Sequence, residues 1–72
     1  MHRFFVYPSQ IDALANSIQI VGDDVKHISK VLRLKEGQEM EICDGQGMEY
    51  RVEIVELDKE QVITHIKEKN LS

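Results

Sequence analysis

The sequence predicts a mainly β fold of about five short strands, with one helix between the second and third, curled into a small closed or partly closed barrel that the helix plugs. Three observations lead there. Apolar and polar residues alternate in several segments separated by turn residues, the helical period appears once, between Gly22 and Gly37, and 72 residues leave room for a single domain. A chain this short buries only about 60% of the surface its unfolded form exposes, so a closed sheet without free edges suits it.

The elements follow in order. Arg3 to Tyr7 is aromatic and β-branched and is stopped by Pro8, which predicts a first strand with Phe4 and Val6 on one face. Ile11, Leu14 and Ala15 are spaced for a helical turn. Ser17 to Val21 predicts a second strand with Ile18 and Ile20 on one side. Gly22, Asp23 and Asp24 then cap and charge the start of a helix that should run to about Lys35 and stop at Gly37. At 100° per residue Val25, Ile28, Val31 and Leu32 share an apolar stripe; Lys26, Lys30 and Arg33 gather opposite it, with His27 at the border. Beyond Gly37, Met40 and Ile42 alternate with Glu39, Glu41 and Cys43, and Asp44-Gly45-Gln46-Gly47 makes a hairpin turn. Met48, Tyr50, Val52 and Ile54 form the returning strand, and Val55 and Leu57 shift its apolar phase by one residue, as a bulge would. Asp58 to Gln61 turns into a last strand from Val62 to about Lys67. The resulting element set fits a small OB-like barrel, an architecture that fold analogy alone links to nucleic-acid binding.

Charge is unevenly spread. The net charge is -4, yet residues 1 to 35 hold five basic and three acidic residues, a net of +2, whereas residues 36 to 72 hold four basic and ten acidic, a net of -6. Exposed charges farther apart than about 8 Å are screened from one another at physiological salt, so an acidic chain can carry a local anion-binding patch. The longest apolar run, Phe4 to Tyr7, is too short for a signal core or a membrane span. The single cysteine, Cys43, has no disulfide partner and no zinc-ligand spacing around it, which fits a reducing, cytoplasmic setting and no metal.

Catalytic chemistry would need a nucleophile, a base and an orienting group, and the candidates are Cys43, three histidines and the carboxylates. Their spacing assembles none of these. Cys43 sits among Glu39, Glu41 and Asp44, whose field disfavours a thiolate nucleophile. The Asp44 to Gly47 loop lacks the lysine of a phosphate-binding loop, and His65 reads as a surface histidine. The basic helix face is the better candidate, because Lys and Arg at regular spacing bind phosphates and a nearby aromatic strand offers stacking surface. The opposing reading makes those cations a solvated face and Phe4 and Phe5 core residues.

The start Met1-His2-Arg3-Phe4-Phe5-Val6, the segment His27-Ile28-Ser29-Lys30-Val31-Leu32-Arg33-Leu34-Lys35-Glu36-Gly37 and the later Asp44-Gly45 resemble, in order and spacing, the N-terminal domain of the ribosomal RNA small subunit methyltransferase E family, the 16S rRNA uracil-N3 methyltransferases. The resemblance runs over essentially the whole chain and implies one PUA-like RNA-binding domain over residues 1–72. It implies 16S rRNA, or the small ribosomal subunit, as partner. It also implies a following SPOUT-type knotted domain that binds S-adenosylmethionine and forms the dimer; this chain ends at Ser72, so that domain, the cofactor and catalysis are expected outside it. Carried over residue by residue, the resemblance marks Arg3, His27, Lys30, Arg33 and Asp44 as RNA-site residues. Physical reasoning agrees for Lys30 and Arg33, admits Arg3 if the first strand lies beside the helix, and gives Asp44 a different task, capping its turn or orienting Arg33, with a base-edge contact open. Lys26 replaces the first histidine of a doubled His-His pattern common in the family. Two other functions compete: a non-catalytic protein-interaction barrel working through its acidic second half, and an autonomous enzyme, which lacks any assembled motif.

Overall fold

The structure, a computed structural model, describes residues 2–71; Met1 and Ser72, the ends of the predicted domain, lie outside them. Among the described residues six strands, a single 3-10 turn and one short helix follow in the order β1 (Arg3–Phe5), the 3-10 turn (Pro8–Gln10), β2 (Ile11–Asp12), β3 (Ser17–Val21), α1, β4 (Glu39–Cys43), β5 (Met48–Leu57) and β6 (Gln61–Leu71). The helix α1 is α-helical over Asp23–Lys26 and π-helical over His27–Val31. The strands form one curled sheet in the order β1-β4-β5-β6-β3-β2, a half-barrel whose edges are β1 and β2. Pairing is antiparallel except between β1 and β4, which run parallel with Phe4 opposite Ile42. The expected mainly β fold with one helix is therefore present.

Alternation decides which residues fill the curl. Val6, Ile18, Ile20, Met40, Ile42, Val52, Ile54 and Val62 are fully buried, and Ile28 and Val25 from α1 close over them. Burying such side chains contributes about 1.5–3 kcal/mol each, the main term holding so short a chain together. Thr64 is buried with them, and its hydroxyl donates to the Ile18 carbonyl at 2.9 Å, which satisfies that buried group. The phase shift expected at Val55 is a break in register between Ile54 and Glu56: Ile54 faces Thr64 and Glu56 faces Ile63, leaving Val55 exposed.

Five expectations change. Ile11 and Asp12 make a two-residue strand, not a helical turn, because the Asp12 carboxylate accepts from the Ala15 amide at 3.2 Å and closes a hairpin onto Ser17 and Ile18, with Leu14 wholly exposed. β1 ends at Phe5 rather than Tyr7, and β6 continues past Lys67 to Leu71. The helix ends at Val31, short of Lys35. Arg33 takes a left-handed conformation (φ 55°) and the Leu34 amide bonds back to the Ile28 carbonyl at 3.0 Å. In a continuing helix Leu32 and Leu34 would point about 200° apart, whereas the reversal at Arg33 lets both pack on the core, offsetting a left-handed cost of about 1–2 kcal/mol. Finally, the Leu32 amide bonds to the His27 carbonyl five residues back, and the widened turn carries Val31 out of the apolar stripe to 66% exposure.

Candidate nucleic-acid interface

The helix presents Lys26 and Lys30 on its open side, four residues apart, while Val25 and Ile28 face the core. Across from them the β5–β6 turn brings up Lys59. Between the two elements lies an open groove of about 470 Å³ lined by Val25, Lys26, Ser29, Lys30, Leu57, Asp58 and Lys59. The turn is held by Asp58, whose carboxylate accepts from the Glu60 and Gln61 amides at 2.8 and 2.9 Å. Those two amides hold its carboxyl below the ordinary carboxylate range, so Asp58 stays ionised. Ser29 donates its hydroxyl proton to the Val25 carbonyl at 2.9 Å, which leaves its oxygen as an acceptor toward the groove.

The remaining predicted site residues scatter around this face. His27 is exposed where expected, at the border of the stripe, with its ring edge-on to Phe4 at 5.9 Å. Arg33 is exposed beyond the helix end and does not line the groove, so the expected row of Lys26, Lys30 and Arg33 is shortened to its two lysines. Arg3 does not join them. Phe4 turns inward to His27, so strand alternation sends Arg3 to the outer face, where it meets Glu41 at 3.2 Å and Glu49 at 3.4 Å. The Glu41 hydrogen bond first, then the Glu49 charge, raises its guanidinium above its ordinary value.

Asp44 is buried, and one of its carboxylate oxygens accepts from the Gln46 amide at 2.8 Å and the Met48 amide at 3.3 Å. It caps the hairpin, as the turn reading required; among the described residues it makes no ion pair with Arg33. Burial first, and then the Asp44 charge, push the Tyr50 phenol up. Cys43 is half-buried with its Sγ 3.5 Å from the Phe4 carbonyl.

Two features escape sequence reasoning. Lys59 belongs to the groove, and only the β5–β6 hairpin brings it to the helix. Phe5, read as a core residue together with Phe4, is 50% exposed instead and stacks edge to face at 5.5 Å on Tyr7, which is 66% exposed. Among the described residues no helix is long and apolar enough to cross a membrane.

A helix-plugged half-barrel that leaves lysines unpaired on the helix side has the architecture of a small PUA-type domain. A family model described as "RNA methyltransferase PUA domain" matches residues 20–67, and the chain belongs to that family. The ribosomal RNA small subunit methyltransferase E of Bacillus subtilis (strain 168) is 33% identical over 64 residues, which covers 86% of this chain and 25% of that protein. A solved structure of a predicted RNA methyltransferase from Thermotoga maritima superposes with a TM-score of 0.82 at 25% identity, over all of this chain and 31% of its own. A Neisseria gonorrhoeae ribosomal RNA small subunit methyltransferase E bound to S-adenosyl methionine shares the fold, with a TM-score of 0.79 at 21% identity over 97% of this chain and 28% of that one. The chain thus spans between a quarter and a third of the length of these relatives.

Proposed function

We propose that this chain is the RNA-recognition domain of an S-adenosylmethionine-dependent methyltransferase that modifies the N3 atom of a uracil in 16S rRNA, in the cytoplasm. Methyl transfer and dimerisation belong to a SPOUT-type knotted domain outside this chain. One observation carries the reading: within an RNA methyltransferase PUA domain, the cations that lack a carboxylate partner among the described residues include Lys26, Lys30 and Arg33, beside His27, whereas Arg3, Arg51 and Lys67 are ion-paired. Unpaired ammonium and guanidinium groups are available to replace the counterions of a phosphate backbone.

S-adenosylmethionine carries a sulfonium cation, which the three lysines of the groove repel. The cofactor is therefore assigned to the knotted domain. Arg3 and Asp44, marked by the resemblance, serve here as a strand-pairing cation and a turn cap. The protein-interaction alternative draws little support from the acidic half, where Glu39, Glu41, Glu49, Glu53 and Glu68 are engaged in ion pairs.

Fluorescence anisotropy with a labelled small-subunit rRNA hairpin tests the proposal. The Lys30→Ala, Arg33→Ala double variant should bind about 10-fold more weakly at low salt, with an unchanged urea midpoint, because neither side chain is buried. Unaltered affinity, or no affinity in the parent chain at low salt, would contradict it.

A further inference from the structure

We propose that the groove between α1 and the β5–β6 turn seats one unpaired nucleotide of the RNA, with Lys26, Lys30 and Lys59 on its flanking phosphates and Val25 and Leu57 beneath its base. The assignment rests on the RNA-binding reading above and specifies the place and the kind of RNA. Three lysines converge from two elements far apart in sequence, and none forms an ion pair among the described residues. The one carboxylate in the lining, Asp58, is committed to two amides of its own turn, which places its hydrogen-bonding oxygen toward the backbone. The lining is not merely charged: Val25 is 2% exposed and Leu57 half-buried, and together they make an apolar floor.

Size and polarity select the occupant. A concavity of about 470 Å³ belongs to the small-ligand class of roughly 300–1,000 Å³, enough for one nucleotide and not for a base-paired helix. Unpaired bases can be splayed from the stack and laid on an apolar surface, whereas bases in an A-form duplex are hidden in a deep, narrow major groove. Ser29 supplies the one neutral side-chain acceptor, since its own proton is used on Val25; it suits a base N–H or a ribose 2′-hydroxyl, the group that separates RNA from DNA. Lysine ammonium groups follow phosphates without reading sequence, so the floor and Ser29 are the selective parts and the lysines hold the backbone.

The experiment compares Lys59→Ala with Lys67→Ala in the 72-residue chain, using a labelled single-stranded oligouridine RNA and a fully paired RNA duplex of equal length. Both variants remove one positive charge, but Lys67 pairs with Glu53 on the sheet at 3.2 Å, away from the groove. Lys59→Ala should weaken single-stranded binding about 3- to 10-fold and reduce the salt slope by about 0.7, one phosphate contact, while Lys67→Ala leaves both near the parent values. The duplex should bind more weakly and respond little to Lys59→Ala. Equal losses in the two variants, or an equal Lys59→Ala loss on the duplex, would overturn the groove. In that case a loss in the Lys30→Ala, Arg33→Ala variant on the rRNA hairpin would still support the broader RNA reading. Absence of RNA binding by the parent chain at low salt would overturn both. Lys59 is an exposed turn residue, and an unchanged amide spectrum checks that its replacement leaves the fold intact.

Discussion

The outer face of the sheet and the open side of α1 both carry many charges, but they dispose of them in opposite ways. On the sheet, strand register sets side chains of neighbouring strands about 5 Å apart on a common face, so opposite charges meet, across the parallel β1–β4 pair as well as the antiparallel ones. Arg51 of β5 lies between β4 and β6 and reaches Glu39 at 2.9 Å and Glu68 at 3.7 Å; Arg3 meets Glu41 and Glu49, and Lys67 meets Glu53. On α1 the lysines have no strand opposite them, and the acidic residues of that helix, Asp23 and Asp24, sit in its first turn. A net charge of -4 therefore describes neither face. Whether a cation is available to a ligand depends on its neighbours in the fold: among the described residues three of the four strand cations, Arg3, Arg51 and Lys67, are paired, Lys69 being the exception, and the helix side is open.

Under the proposed function stability lies on one side and binding on the other, and the largest test is Asp44→Ala. It removes the charged acceptor of the Gln46 and Met48 amides in a partly buried turn and should cost about 2–3 kcal/mol in urea unfolding, with Asp44→Asn recovering most of it. Weakened RNA binding in Asp44→Asn at parent stability would make Asp44 a contact and blur the division. Gly45→Ala comes next, at about 1–3 kcal/mol: Gly45 holds φ at 74°, and a methyl there would lie 2.6 Å from Cε2 of Phe5. Its urea midpoint should fall while RNA affinity at full folding stays at the parent value.

Acid should loosen the β5–β6 turn. The folded Asp58 carboxyl is held below its ordinary value of 3.8, so its contribution is complete above that value and is lost as pH falls through the lower folded one. The Glu60 and Gln61 amide resonances should move in that window and stay still in Asp58→Asn. The smallest effect belongs to Arg3→Ala. Removing an exposed, doubly paired arginine should leave hairpin affinity within about 2-fold of the parent, and its slight effect on stability should vanish near 1 M salt. A loss comparable to that of the Lys30→Ala, Arg33→Ala variant would restore Arg3 to the RNA site.

Much of the fold is legible in the sequence because the β period is local. Ile18 and Ile20, Met40 and Ile42, and Tyr50, Val52 and Ile54 point inward as their alternation requires, and the slip at Val55 shows in the pattern before it shows in the register. What is decided at a distance is not legible. The end of α1 depends on Leu32 and Leu34 both finding the core, a tertiary gain that overrides a helical pattern continuing to Lys35. β2 has only two residues, too few to display a period. The candidate site divides the same way: the positions of His27 and Lys30 follow from the helix alone, while the pairing of Arg3 depends on strand partners dozens of residues away and the approach of Lys59 to the helix depends on a hairpin. Lysine in a polar turn has no periodic signature, and only the β5–β6 fold-back makes it a neighbour of Lys30.

Amide chemical-shift mapping of the chain during titration with a small-subunit rRNA hairpin tests the division most directly. Shifts concentrated at Lys26 to Arg33 and at Leu57 to Lys59, fading as salt is raised, are the predicted result. Shifts confined to the outer sheet face, at Arg3, Glu41, Glu49, Arg51 and Glu68, would contradict it.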